Sequence, residues 1–133
     1  MKKTKQRHPD GELVMRTIPM PADTNQRGDI FGGWVMSHMD MGGAVLAAKL
    51  AQRRVATVAV DAMSFLFPIK VGDLVSCYAR LDHKGNSSMK IHIEVWVSSL
   101  GREPRCATEG VFTYVAIDEN GRPLPFTLQK TKD

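Results

Sequence analysis

A chain of 133 residues, 43% of them hydrophobic, has the size and composition of one compact domain with a real core. Its net charge of +4 suggests a phosphate-rich partner until the charges are placed. Lys2, Lys3, Lys5 and Arg7 outweigh Asp10 and Glu12 at the start, Arg122, Lys130 and Lys132 outweigh Asp133 at the end, and residues 13–120 balance eleven basic against eleven acidic side chains. A neutral body argues against nucleic acid as a partner and leaves the surplus charge to solubilise the ends.

In chain order, residues 1–11 read as a flexible polar arm, and residues 13–18 as a short strand stopped by Pro19 and Pro21. A loop over 22–31 leads into a helix over about 32–52, apolar on nearly every side through Trp34, Val35, Met36, Met39, Val45, Leu46, Ala48 and Leu50. Such a helix must be surrounded by protein. Asp29 near its start and Lys49, Arg53 and Arg54 near its end suit the helix dipole. With Ser37, His38, Asp40 and four glycines between positions 30 and 48, it reads as a buried soluble helix rather than a membrane span.

The periodicity then switches to two, predicting strands over 55–67, 74–82, 88–100 and 106–117. In the third, Met89, Ile91, Ile93, Val95 and Val97 alternate with Lys90, His92, Glu94, Trp96 and Ser98, giving one buried face and one wetter face. The short links carry turn residues and imply antiparallel neighbours. One domain over 12–120 is expected, followed by an irregular tail over 121–133. The architecture is α+β: a curved antiparallel sheet of five to six strands wrapped around one long central helix, which is the hotdog topology. Exposed sheet edges are relieved by pairing across a twofold axis, so dimerisation is expected.

Asp40 is the one carboxylate between positions 30 and 48. Withdrawing an unpaired carboxylate from water costs on the order of several kcal/mol, so Asp40 is the leading catalytic candidate. A wet seam, or a cap on a neighbouring strand's amides, is the alternative. Gly32 and Gly33 stand at the helix start, where amides lack intrahelical partners and an acyl oxygen can dock; donors aimed at a developing oxyanion contribute ~3–4 kcal/mol. A tight turn accounts for the pair equally well. Gly42 and Gly43 inside the helix read as close packing against the sheet or a partner helix. Asn25, on the loop before the helix, can donate to a carbonyl and accept from water, although alone it reads as a turn residue.

His8, His38, His83 and His92 are scattered, with no Cys or carboxylate at ligand spacing, so no metal is expected. No P-loop pattern occurs, and no ATP dependence is expected. Cys77 and Cys106 read as small core residues; with no charged leader and apolar run at the start of the chain, they fit a reducing cytosol.

The run Met20-Pro21-Ala22-Asp23-Thr24-Asn25, followed by Gly28-Asp29-Ile30-Phe31-Gly32-Gly33-Trp34 and Met39-Asp40, resembles the bacterial acyl-CoA thioesterases of the hotdog superfamily. The likeness continues through Thr57-Val58-Ala59-Val60, residues 65–73, residues 85–88 and Ile93-Glu94-Val95-Trp96-Val97, covering about positions 13–118. It implies hydrolysis of acyl-CoA to a carboxylic acid and coenzyme A, with no cofactor beyond the substrate's own coenzyme. Asp40 would be the essential carboxylate, as general base or nucleophile, and Asn25 its polar helper from the neighbouring subunit's half of the site. The amides around Gly33 would polarise the thioester carbonyl.

Within the matched segments Thr57 is expected to bind substrate. The resemblance points to Ser87 and Ser88, and to Arg53 or Arg54, for the coenzyme A portion. Lys84-Gly85-Asn86 departs from the arginine expected near that turn. A homo-oligomer is also implied, with the dimer as its minimum unit and a trimer of dimers as the whole. The chemistry is consistent, because a thioester carbonyl is electrophilic and thiolate leaves readily, so a carboxylate and water suffice. Two rivals share the fold: a hydroxyacyl-thioester dehydratase and a non-catalytic acyl-CoA-binding module. The dehydratase wants a histidine beside the acid, and His38, two positions before Asp40, points to another helix face. The binding module would tolerate Asp40→Asn.

Overall fold

The computed structural model describes residues 7–128. Residues 1–6 of the expected arm and 129–133 of the expected tail lie outside the described residues. The elements are β1 (Glu12–Thr17), a 3₁₀ turn (Pro21–Asp23), α1 (Gly32–Ala51), β2 (Arg54–Phe65), β3 (Leu74–Lys84), β4 (Ser88–Ser98) and β5 (Arg105–Ile117). All four strand pairings are antiparallel, in the order β1-β3-β4-β5-β2. The helix lies across the sheet and touches every strand.

The core is the alternating face read from the sequence. Met39 from the helix meets Met89, Ile91, Ile93 and Val95 of β4 and Phe112 and Tyr114 of β5, all at most 1% exposed. Gly42 and Gly43 let the helix approach closely: a Cβ at Gly43 would lie 2.3 Å from the Tyr114 hydroxyl and 2.6 Å from Ile93 Cδ1, and one at Gly42 2.9 Å from Val14 Cγ2. The helix ends at Gln52, which turns left-handed (φ 52°) while its amide donates to the Ala48 carbonyl at 2.8 Å.

Three expectations need correction. Only β3, β4 and β5 form a meander; β2 pairs with β5 at the far edge, and the short link after it does not join neighbours. That link instead passes the helix start, held by Leu66 N–H donating to the Ala107 carbonyl (2.7 Å) and Ile30 N–H donating to the Ile69 carbonyl (2.8 Å). Second, the outer face of β4 is not uniformly wet. Arg7 donates to Glu94 (2.7 Å) and Glu109 (2.6 Å), and the Asp10 amide donates to Glu94 (3.1 Å), so this part of the expected loose arm covers Glu94 and Trp96. Burial opposes ionisation of Glu94, but the bonds from Trp96, the Asp10 amide and Arg7 outweigh it and hold the carboxyl below the usual range.

Third, a single chain does not surround its helix. Met41 (48% exposed) and Val45 (54%) form an open apolar stripe, and the edge strand β2 exposes Val58 (57%) and Phe65 (52%). The two cysteines are buried, which pushes their thiols up to about 12 for Cys77 and about 11 for Cys106, so neither is a thiolate at neutral pH. Among the described residues no helix is long and apolar enough to cross a membrane.

Candidate active site

Asp40 sits half-buried midway along α1, and two strand residues hold it. Thr57 of β2 and Tyr114 of β5 are register partners. The Thr57 hydroxyl donates to Asp40 Oδ1 at 2.5 Å, and the Tyr114 hydroxyl donates to the Asp40 main-chain carbonyl at 2.8 Å. Burial, the nearby Asp40 charge and that hydrogen bond push the Tyr114 phenol far above its ordinary range, so it stays a donor. Asp40 Oδ2 has no hydrogen-bond partner among the described residues and is not sealed from solvent, so a water can reach it. Thr57, expected to bind substrate, also orients the carboxylate; a β-branched hydroxyl on a strand gave no signal of that second role in sequence.

Thr57→Val removes the donor and keeps the shape. Turnover is expected to fall about tenfold, the size of one charge-assisted hydrogen bond, with KM little changed. Steady-state kinetics reads this, and an unchanged kcat would remove Thr57 from the site.

The second cluster lies at the start of the helix. Phe31 caps it without a side-chain bond, so the first-turn amides of Gly32, Gly33 and Trp34 lack intrahelical acceptors. Among the described residues no atom lies within 4 Å of where a Gly33 Cβ would stand, so packing within the chain does not require that glycine. Asp29 is not the dipole partner expected of it; its carboxylate pairs with the Lys70 ammonium. Asn25 Oδ1 accepts from the amides of Arg27 (2.9 Å) and Asp29 (3.1 Å), as the turn reading had it. This fixes the side chain and leaves its NH₂ without a partner among the described residues. Asn25 and Gly32 line one cleft of about 290 Å³ with Ile30, Leu66, Ile69 and Thr108. Thr108 also lines the cleft; its hydroxyl is buried and has no partner among the described residues, which costs on the order of 1–3 kcal/mol.

The two clusters do not meet within one chain. Seven to eight helical residues separate Gly32 and Gly33 from Asp40, a rise of about 10–12 Å. That is too far for one carbonyl to reach both. The residues expected to hold coenzyme A are also split. Arg53 and Arg54 line a cleft of about 500 Å³ beside Asp118 and Glu119, and neither Ser87 nor Ser88 lines it. The 85–88 turn is closed by Gly85 N–H donating to the Ser88 carbonyl (2.8 Å) and tied to β5 by Ala116 N–H donating to the Ser87 carbonyl (2.8 Å).

His38 bonds the Trp34 carbonyl through Nδ1 (2.8 Å) and lies tilted against the Trp34 ring, and it makes no hydrogen bond to Asp40. Asp10, His92 and Glu94 converge on the outer sheet face, a grouping that sequence spacing did not reveal. Arg80 and Arg7 already engage the two carboxylates there.

A model of the thioesterase superfamily matches residues 27–103. The acyl-CoA thioester hydrolase YciA of Salmonella typhimurium is 55% identical over 125 residues, covering 91% of this chain and 94% of the relative. Among solved structures, a hexameric thioesterase from Yersinia pestis superposes with a TM-score of 0.86 at 56% identity, over 93% of this chain and 100% of that one. A hexameric broad-specificity acyl-coenzyme A thioesterase gives a TM-score of 0.84 at 52% identity, over 90% and 84% of the two chains.

Proposed function

The chain belongs to the thioesterase superfamily, and from that membership and the setting of Asp40 we infer that it hydrolyses acyl-CoA thioesters to a carboxylic acid and coenzyme A. The observation that carries the reading is a helix carboxylate with one oxygen oriented by Thr57 and the other left unpartnered. The carbonyl oxygen docks on the free amides around Gly33, with the Asn25 NH₂ beside it. Water attacks the carbonyl carbon as Asp40 takes its proton, the oxyanion forms against the amides, and collapse breaks the C–S bond. The thiolate then recovers the proton. Direct attack by Asp40, giving a mixed anhydride that water cleaves, uses the same geometry.

Because the amide cluster and the carboxylate are too far apart in one chain, the working unit is a homodimer in which Asp40 of one subunit serves the amides of the other. The open stripe of Met41 and Val45 and the unpaired edge of β2 are the surfaces such a dimer covers. Three dimers make the whole, as the hexameric relatives suggest. The coenzyme's phosphates lie toward Arg53 and Arg54 and its pantetheine near Ser87 and Ser88, no separate cofactor takes part, and the enzyme works in the cytoplasm. The test is release of coenzyme A thiol from a panel of acyl-CoA esters of graded chain length by the purified protein. Release from at least part of the panel is expected, and no release from any ester would refute the reading.

A further inference from the structure

Thr108 is 1% exposed on β5, and its hydroxyl has no hydrogen-bond partner among the described residues. Nearly all buried hydroxyls find a protein or water partner, so one with no protein partner is open to a bond from a molecule that enters the cleft. Alternation along the strand sets its direction. Thr108 lies opposite Val95 and an even number of residues from Phe112 and Tyr114, so it shares their helix-facing side of the sheet and forms part of the cleft at the helix start. Around it the cleft wall is apolar through Ile30, Val35, Leu66 and Ile69. Valine has the same shape and would fill the position without leaving a polar atom unpaired.

The cleft combines Gly32 and Asn25, where the thioester carbonyl docks, with this apolar wall, so the part of the substrate that fits the wall is the acyl chain. We propose that the Thr108 hydroxyl is a specificity group that bonds an oxygen carried on the acyl chain, so that the enzyme favours acyl-CoA esters bearing a hydroxyl or keto group over the plain chains of the same length. The hydroxyl both donates and accepts, and thus meets either substituent. The proposal rests on the acyl-CoA thioesterase reading.

The experiment compares kcat/KM for butanoyl- and hexanoyl-CoA with that for the same esters carrying a hydroxyl or keto oxygen at successive carbons, in the wild type and in Thr108→Val. For at least one substituted position the wild-type preference over the plain ester is expected to fall about tenfold in the variant, the effect of one lost hydrogen bond. Thermal unfolding of the ligand-free variant is expected at or above the wild-type temperature. A substituted-to-plain ratio that the mutation leaves unmoved at every position overturns the proposal while the thioesterase reading stands. A variant that loses stability with its ratios unmoved overturns it too and makes the hydroxyl a structural group bonded to water. Absence of hydrolysis of every ester by the wild type removes the reading itself, and the proposal with it.

Discussion

Replacing Asp40 with asparagine is expected to reduce turnover at least roughly 100-fold while leaving the protein folded. Asparagine has the same shape, its side-chain oxygen can still accept from Thr57, and its helix propensity is close to that of aspartate, so the stability cost is small. What disappears is the charge and the unpartnered Oδ2, the atom that takes a proton from water or attacks the acyl carbon. Thiol release under saturating acyl-CoA measures the loss, and circular dichroism with thermal unfolding checks the fold. An Asp40→Asn protein as active as the wild type would place the chemistry elsewhere and favour a role for this carboxylate in structure or binding alone.

Gly43→Ala should lower stability by about 2 kcal/mol, a fall in Tm of roughly 5–8 °C. In an open helix this change would stabilise by about 1 kcal/mol. Here the added methyl would lie 2.3 Å from the Tyr114 hydroxyl and 2.6 Å from Ile93 Cδ1. Both are the far ends of side chains, but both residues are fully buried and have nowhere to go. The Tyr114 hydroxyl is also bonded to the Asp40 carbonyl, so relieving the overlap gives up that hydrogen bond. Scanning calorimetry reads the shift, and a Tm at or above the wild type would mean that the helix sits less closely on the sheet.

The helix and the core faces of β4 and β5 were legible because each is a local period, whereas β2, twice bulged and largely exposed in one chain, shows no alternating buried face. The alternation of Met89, Ile91, Ile93, Val95 and Val97 maps onto β4 with every one of them buried. Pairing is not local. The placement of β2 beside β5 joins Arg54 to Ile117 across half the chain, and nothing in the short link after β2 distinguishes an edge crossing from a hairpin. The site followed the same division. Asp40 stood out as a carboxylate in an apolar helix, whereas Thr57 is an ordinary strand threonine whose bond to Asp40 exists only once helix and sheet are packed. The arm read as loose because Arg7 and Asp10 look solvated in sequence, and only the folded sheet brings Glu94 and Glu109 to them.

The unpaired outer edge of β2 also bears on the life of a newly made chain. In a lone chain, a twelve-residue edge strand presents amides and carbonyls alongside the exposed Val58, Val60 and Phe65. Encounter with a sister chain is a two-body event that slows as the protein becomes scarce, whereas the crowd of unrelated unfolded segments around a ribosome does not thin in step with it. Fidelity of assembly is therefore most at risk when synthesis is low, and producing successive copies close together in space on one messenger offsets that risk.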